Sequence, residues 1–322
     1  MKLKYLSLLT IVIIITVLGC EHWYPVYDDF LCTIKMDGTE LKYIRRYYGS
    51  FLLSPDRETL VESYNNKLYS VDMDDFTTKE LILEFENPRD FRDPSISNTK
   101  VVYVYKNDIN TLDLEDKDTT RLTYTGYSNI KRRPVFSSDG EKIAFPADND
   151  SIASIIMMNN DGTNTETIYT VEAHGISKLY FAQNDEKIIY DFAINPDYGQ
   201  SGTYCIKIDG TDNHLILDDH LPGIDVSPST NSIIYPYSGS VYKLNLLTGS
   251  SVVLANSRSD YIPVFSPNGE KILYRYDGTY IMNADGSGKY KLTDKTSRWQ
   301  LNYRPYFINN DKILLTFEKQ IN

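Results

Sequence analysis

Seven copies of one strand–turn–strand pattern, at steps of 39 to 45 residues, predict an all-β fold. The predicted architecture is a seven-bladed β-propeller of four-stranded antiparallel blades, with six and eight as the alternative counts. Two further observations support it. Every unit carries Gly, Asn, Asp or Pro where its strands must turn. The two chain ends also hold complementary halves of one unit.

The pattern is clearest in "PVFSSDGEKIAF" (Pro134–Phe145) and "PVFSPNGEKILY" (Pro263–Tyr274). Looser copies begin at Leu52, Ser95, Tyr180, Asp225 and Tyr306. The anchor residues are Ser54, Ser97, Ser137, Ala182, Ser227, Ser266 and Ile308. In each unit a short apolar run ends in a Ser-Pro-Asp-Gly-like turn. Pro presets the first turn position and Gly or Asn accepts the left-handed one. A second strand follows, such as "KIAF" or "KILY". A third, such as "YCIKIDG" or "YIMNADG", closes on an Asp-Gly hairpin, and a fourth ends in "RLT", "LIL" or "KLT". Apolar–polar alternation is weak, as expected where strands are buried on both faces.

"LCTIKMDGTELKYI" (Leu31–Ile44) is a third-and-fourth-strand hairpin with no first pair before it. Arg304–Phe317 is a first pair with no hairpin after it. Together they form a composite blade that closes the ring and leaves no blade edge unpaired. This register separates Cys32, in the composite blade, from Cys205, in the fourth. Both are expected to be small buried apolar residues and not a disulfide.

Residues 1–19 read as an export signal. Lys2 and Lys4 precede an apolar run from Tyr5 to Leu18, which is short for a bilayer span of about 20 residues. Val17-Leu18-Gly19-Cys20 resembles a bacterial lipobox. That resemblance implies cleavage before Cys20 and its lipidation, with residues 20–30 as a tether and 31–322 as the propeller. Such an anchor holds the chain on the membrane. The expected place is the bacterial cell envelope at the outer membrane, facing the periplasm or the exterior. Without the leader, 31 basic residues face 44 acidic ones, a net charge of −13. This excludes a general nucleic-acid binder, whose affinity rests on neutralising phosphates.

"FSPNGEKILY…YIMNADGSGKYKLT", and "FSSDGEKIAF…IMMNNDGTNTETI" almost as closely, resemble the WD40-like (PD40) repeats of the TolB propeller family. The resemblance runs over roughly Leu31–Phe317 and implies the fold and a binding role. The chain has no room for the α/β domain that precedes the TolB propeller.

Signatures of chemistry are weak. "GQSG" (Gly199–Gly202) lacks the spacing of a nucleophile elbow. "GSGK" (Gly286–Lys289) lacks the first Gly of a phosphate loop, has Tyr290 where Ser or Thr would stand, and falls in a hairpin. No cofactor is expected. His174 and His220, beside Glu172, Asp218, Asp219 and Asp225, form the alternative site. Imidazole with carboxylates can hold a transition metal. Oligogalacturonate lyases are similar in blade number and use a manganese site rich in histidine. That resemblance implies a metal-dependent polysaccharide lyase or hydrolase.

The arginines point elsewhere. Loops from the outermost strand of one blade to the innermost strand of the next all reach one end of the ring, because strand number per blade is even. Arg45, Arg46, Arg89, Arg92, Arg132, Arg133, Arg258, Arg298 and Arg304 fall in or beside these loops, nine of the twelve in the chain. Tyr47, Tyr48, Tyr261 and Trp299 sit among them. Arg forks match carboxylates, and Arg, Tyr and Trp dominate binding hot spots. The expected function is that of a monomeric, lipid-anchored, non-catalytic binding protein or scaffold. Its partner would be an envelope protein, a peptide or an acidic glycan. The clearest positive sector is expected where blades six, seven and one meet. The opposite end carries Asp37, Asp74, Asp75, Glu115, Asp116, Asp161, Asp209 and Asp285. Asp90 and Asp93 lie in the arginine loops and are positioned to neutralise some of these cations.

Overall fold

The sequence repeats close into seven four-stranded antiparallel sheets. The computed structural model describes residues 26–47, 49–87, 89–124, 130–149, 152–172, 175–192, 201–218, 221, 223–256, 262–293 and 305–321. From innermost to outermost strand, blade 1 is Ser50–Leu53, Leu60–Tyr64, Lys67–Val71 and Lys79–Glu84. Blade 2 is Phe91–Ile96, Lys100–Tyr105, Asp108–Asp113 and Thr119–Arg121. Blade 3 is Val135–Phe136, Lys142–Asp148, Ala153–Asn159 and Glu166–Val171, with Ile130–Lys131 also pairing to its second strand. Blade 4 is Ile176–Ala182, Lys187–Phe192, Gly202–Lys207 and His214–Leu217. Blade 5 is Asp225–Val226, Ser232–Tyr237, Ser240–Asn245 and Ser251–Asn256. Blade 6 is Val264–Phe265, Lys271–Arg275, Thr279–Asn283 and Tyr290–Thr293.

The seventh blade is the expected composite: Tyr306–Phe307, Lys312–Ile321, Val26–Lys35 and Lys42–Arg46. Its two middle strands pair without interruption from Val26↔Ile321 to Lys35↔Lys312. The sheet is longer than expected at both ends. Val26–Phe30 belongs to a strand, not to the 20–30 tether, and the last strand runs past Phe317 to Ile321. Each extension supplies the other's backbone partners, a pairing that neither segment signals alone.

The core is seven apolar clusters, one between each pair of neighbouring blades. Second strands feed two clusters alternately. Val101 and Tyr103 face blade 1, while Val102 and Val104 face blade 3. Ile272 and Tyr274 face blade 5, and Leu273 faces the composite blade. This two-sided burial is why the second strands read as continuous apolar runs. Cys32 and Cys205 are both buried and unbridged, in separate clusters.

Two turn designs recur. In the first, a serine hydroxyl donates to the acid or amide two residues on. The pairs are Ser54 to Asp56 (2.6 Å), Ser137 to Asp139 (2.6 Å) and Ser266 to Asn268 (2.7 Å). The same hydroxyls accept the N–H five residues on, at 2.9 Å in each case. In the second, the Asp of Asp-Gly-Thr/Ser accepts both the N–H and the hydroxyl of the third residue. Asp37, Asp161, Asp209 and Asp285 do so, with each hydroxyl contact at 2.6 Å. Both designs lie at one end of the ring, here the hairpin end. The loops between blades cross at the other, the crossover end.

Candidate functional site

Arg45, in the outermost strand of the composite blade, points into blade 1. Its fork meets the Glu62 carboxylate at 3.1 and 2.9 Å, and its Nε donates to the Phe76 carbonyl at 2.9 Å. The Glu62 side chain is 3% exposed and also receives Lys79 at 3.0 Å. Arg45 is therefore an inter-blade tie, and its charge is answered within the fold. Tyr47 is 1% exposed and stacks on Phe51 with ring centroids 4.7 Å apart. It belongs to the core between the composite blade and blade 1, where no partner can touch it. Arg46 and Arg89 are exposed.

The structure gathers a second group around the channel mouth of blades 2 to 4. Arg133 precedes the innermost strand of blade 3. It approaches Asp93 of blade 2 at 3.8 Å and donates to the Ser177 carbonyl of blade 4 at 3.3 Å. Arg132 stands 4.0 Å from Asp148, and Arg92 4.0 Å from Asp93. Arg92 also donates to Asn107. The side chains of Arg132 and Arg133 are 50% and 49% exposed. Asp148 and Asp93 sit at the outer limit of ion pairing from Arg132 and Arg133, whose side chains stay half exposed. Arg258, Arg298, Arg304, Tyr48, Tyr261 and Trp299 lie outside the described residues. So do Cys20, His174 and His220.

The hairpin end is acidic in sequence, but its carboxylates cap turns. The hydroxyl and N–H donors of Thr39, Thr163, Thr211 and Ser287 hold the carboxyls of Asp37, Asp161, Asp209 and Asp285 below the ordinary carboxylate value. Asp75, bonded by the N–H groups of Thr78 and Thr77 and the Thr78 hydroxyl, drops to about 2. Among the described residues no three His, Cys, Asp or Glu side chains are grouped to hold a metal. His214, in a hairpin of blade 4, faces the Asp212 carbonyl at 2.8 Å.

Sequence reasoning passed over Arg57. It occupies the fourth position of "SPDR", where the two clearest repeats carry Gly140 and Gly269. Its φ is 69°, beside 76° and 72° at those glycines. The break in the repeat was the available signal. The side chain lines a cavity of about 270 Å³ at the hairpin end of the channel, shared with blades 5, 6 and the composite.

A closed ring of seven blades with cations at one channel mouth defines the chain as a β-propeller. No family profile and no curated protein matches it. Solved structures do, at low identity. An oligogalacturonate lyase in complex with manganese aligns over 90% of both chains at 10% identity, with a TM-score of 0.67. An oligogalacturonate lyase from Vibrio parahaemolyticus aligns over 90% of this chain and 96% of its own, at 12% identity and a TM-score of 0.66. A putative TolB from Agrobacterium tumefaciens aligns over 92% of this chain and all of its own, at 12% identity and a TM-score of 0.56. Similarity at this level establishes the shared fold.

Proposed function

We propose that the chain is a lipid-anchored propeller of the bacterial cell envelope that binds an acidic partner without catalysis. The partner is a protein segment, a peptide or an acidic glycan, and it docks at the crossover end of the channel. The single observation that carries this reading is the pair of half-exposed guanidinium side chains of Arg132 and Arg133, which enter blade 3, with Arg133 reaching Asp93 of blade 2 and the Ser177 carbonyl of blade 4. Three blades contribute to it, so a partner there reads the assembled ring and not one repeat. Arg forks supply paired donors for carboxylates, and clustered cations steer an anionic partner. Of the sector expected where blades six, seven and one meet, Arg45 and Tyr47 serve the fold, while Arg258, Tyr261, Arg298, Trp299 and Arg304 lie outside the described residues. Oligogalacturonate and oligoglutamate are suitable probes. Replacing Arg132 and Arg133 with Ser weakens binding of at least one of them tenfold or more. Unchanged binding of both would remove the proposal.

The likeness to an oligogalacturonate lyase that holds manganese favours a second reading, in which His174 and His220 carry a metal and the chain cleaves an acidic polysaccharide. Metal analysis separates the two. Stoichiometric metal that is lost in a His174→Ala, His220→Ala variant supports the lyase. Metal-free protein that binds oligogalacturonate without cleaving it supports the binding protein.

A further inference from the structure

Arg57 is placed against the grain of its own turn. The turn requires a left-handed residue, which glycine supplies at no steric cost. Here an arginine adopts φ 69°. A non-glycine residue in that region costs of order 1–3 kcal/mol and persists where the surroundings over-determine it. What the position gains is reach. The guanidinium enters the channel cavity of about 270 Å³, facing residues of blades 5, 6 and the composite.

The surroundings answer its charge only at a distance. Its Nε is buried and has no hydrogen-bond partner among the described residues. Asp225 attracts it from across the channel, but no ion pair between them lies within 4 Å. The Asp225 carboxylate instead accepts the Phe265 N–H at 2.8 Å. The Tyr306 hydroxyl donates to the Phe51 carbonyl at 2.7 Å, and the Ser266 hydroxyl is held by Asn268. Burial pushes the Arg57 guanidinium below its usual value, with Asp225, Tyr306 and Asp56 opposing that shift. A buried donor left unmade costs about 1–3 kcal/mol, and more when the group is charged.

We propose that Arg57 is the anion-binding group of a second site, at the hairpin end of the channel, that takes a single carboxylate on an apolar body. The walls specify the rest of the ligand. Pro55, Pro228, Pro267, Pro305, Val264 and Tyr306 line the same cavity with apolar surface. The volume lies just under the roughly 300 Å³ at which drug-sized pockets begin, so it admits one aromatic residue and not a chain. Asp225 on the same wall disfavours a second negative charge, and with it phosphate and dicarboxylates. The terminal residue of a peptide has this chemistry. This site is separate from the crossover end and holds whether or not Arg132 and Arg133 bind a partner.

The test uses the full chain in detergent, with N-acetylphenylalanine as probe and its neutral amide as control, measured by titration calorimetry. The acid binds saturably, and the amide binds about tenfold more weakly or worse, as expected for loss of a charge-assisted contact. Arg57→Gly restores the residue found in the turns of the two clearest repeats. It abolishes binding of the acid while leaving the melting temperature unchanged or higher. Arg57→Lys keeps weakened binding. The proposal is overturned by absence of saturable binding, by equal binding of acid and amide, or by undiminished binding to Arg57→Gly. A lower melting temperature in Arg57→Gly would also overturn it, since Arg57 would then be a structural tie to Asp225.

Discussion

Arg45→Ala separates a structural arginine from a binding one. In the structure the Arg45 fork makes two contacts with Glu62 and one with the Phe76 carbonyl, and Glu62 is almost fully enclosed. Removing one partner of a buried pair typically costs about 3–5 kcal/mol, because the remaining charge stays buried. Lys79 still reaches Glu62, at 3.0 Å, and tempers the loss. The expected cost is therefore about 3 kcal/mol, the low end of that range. At about 2 °C per kcal/mol for a chain of this size, the melting temperature falls by roughly 6 °C. Differential scanning calorimetry reads this directly. The double variant Arg45→Ala, Glu62→Ala leaves no stranded carboxylate, so it loses less than the two single variants summed. A melting temperature within about 1 °C of wild type, with binding of an acidic partner lost, would show that Arg45 acts at the surface and that the inter-blade assignment is wrong.

Other expectations follow from the turns and the closure. The carboxyls of Asp37, Asp75, Asp161, Asp209 and Asp285 are held below their ordinary value of 3.8 in the folded chain. Their contribution is complete above that value and is lost as pH falls through the folded values, so urea midpoints should decline from about pH 4 toward about pH 2. A flat profile over that window would contradict the capping role. Gly210 and Gly249 give a matched pair. Both have positive φ, but a Cβ at Gly210 would meet the Ile168 carbonyl oxygen at 2.7 Å, while one at Gly249 meets nothing within 4 Å. Gly249→Ala should cost only about 1–2 kcal/mol of backbone strain, and Gly210→Ala clearly more, by chemical denaturation. Deleting residues 312–322 removes the strand that pairs all along Val26–Lys35 and strips Ile313, Leu314 and Leu315 from two clusters. The truncated chain should lose cooperative unfolding, and retention of a sharp transition would mean that the ring closes without the composite blade.

The fold was legible because the serine turns and Asp-Gly hairpins are local devices, written out in residues that touch one another. The same holds for the composite blade, since "LCTIKMDGTELKYI" lacks a first pair and the C-terminal segment lacks a hairpin. The cysteines followed from the register. The site was harder to see because its chemistry is decided by contacts distant in sequence. Nothing beside Arg45 announces Glu62, which belongs to the next blade, and nothing beside Tyr47 announces that the chain turns inward to stack on Phe51. The extension of the composite sheet to Val26 and Ile321 depends on pairing between the two chain ends. Arg57 is a different kind of miss. Its signal was a departure from a pattern, and alignment by similarity passes over departures.

The most direct test of the binding account is hydrogen–deuterium exchange with and without a bound acidic probe, oligogalacturonate or oligoglutamate. The account predicts that protection concentrates at the crossover end, on the backbone around Arg92, Arg132, Arg133 and Ser177, and that it disappears in the Arg132→Ser, Arg133→Ser variant. Protection confined to the hairpin turns around Asp161, Asp209 and Asp285, and kept in that variant, would contradict it.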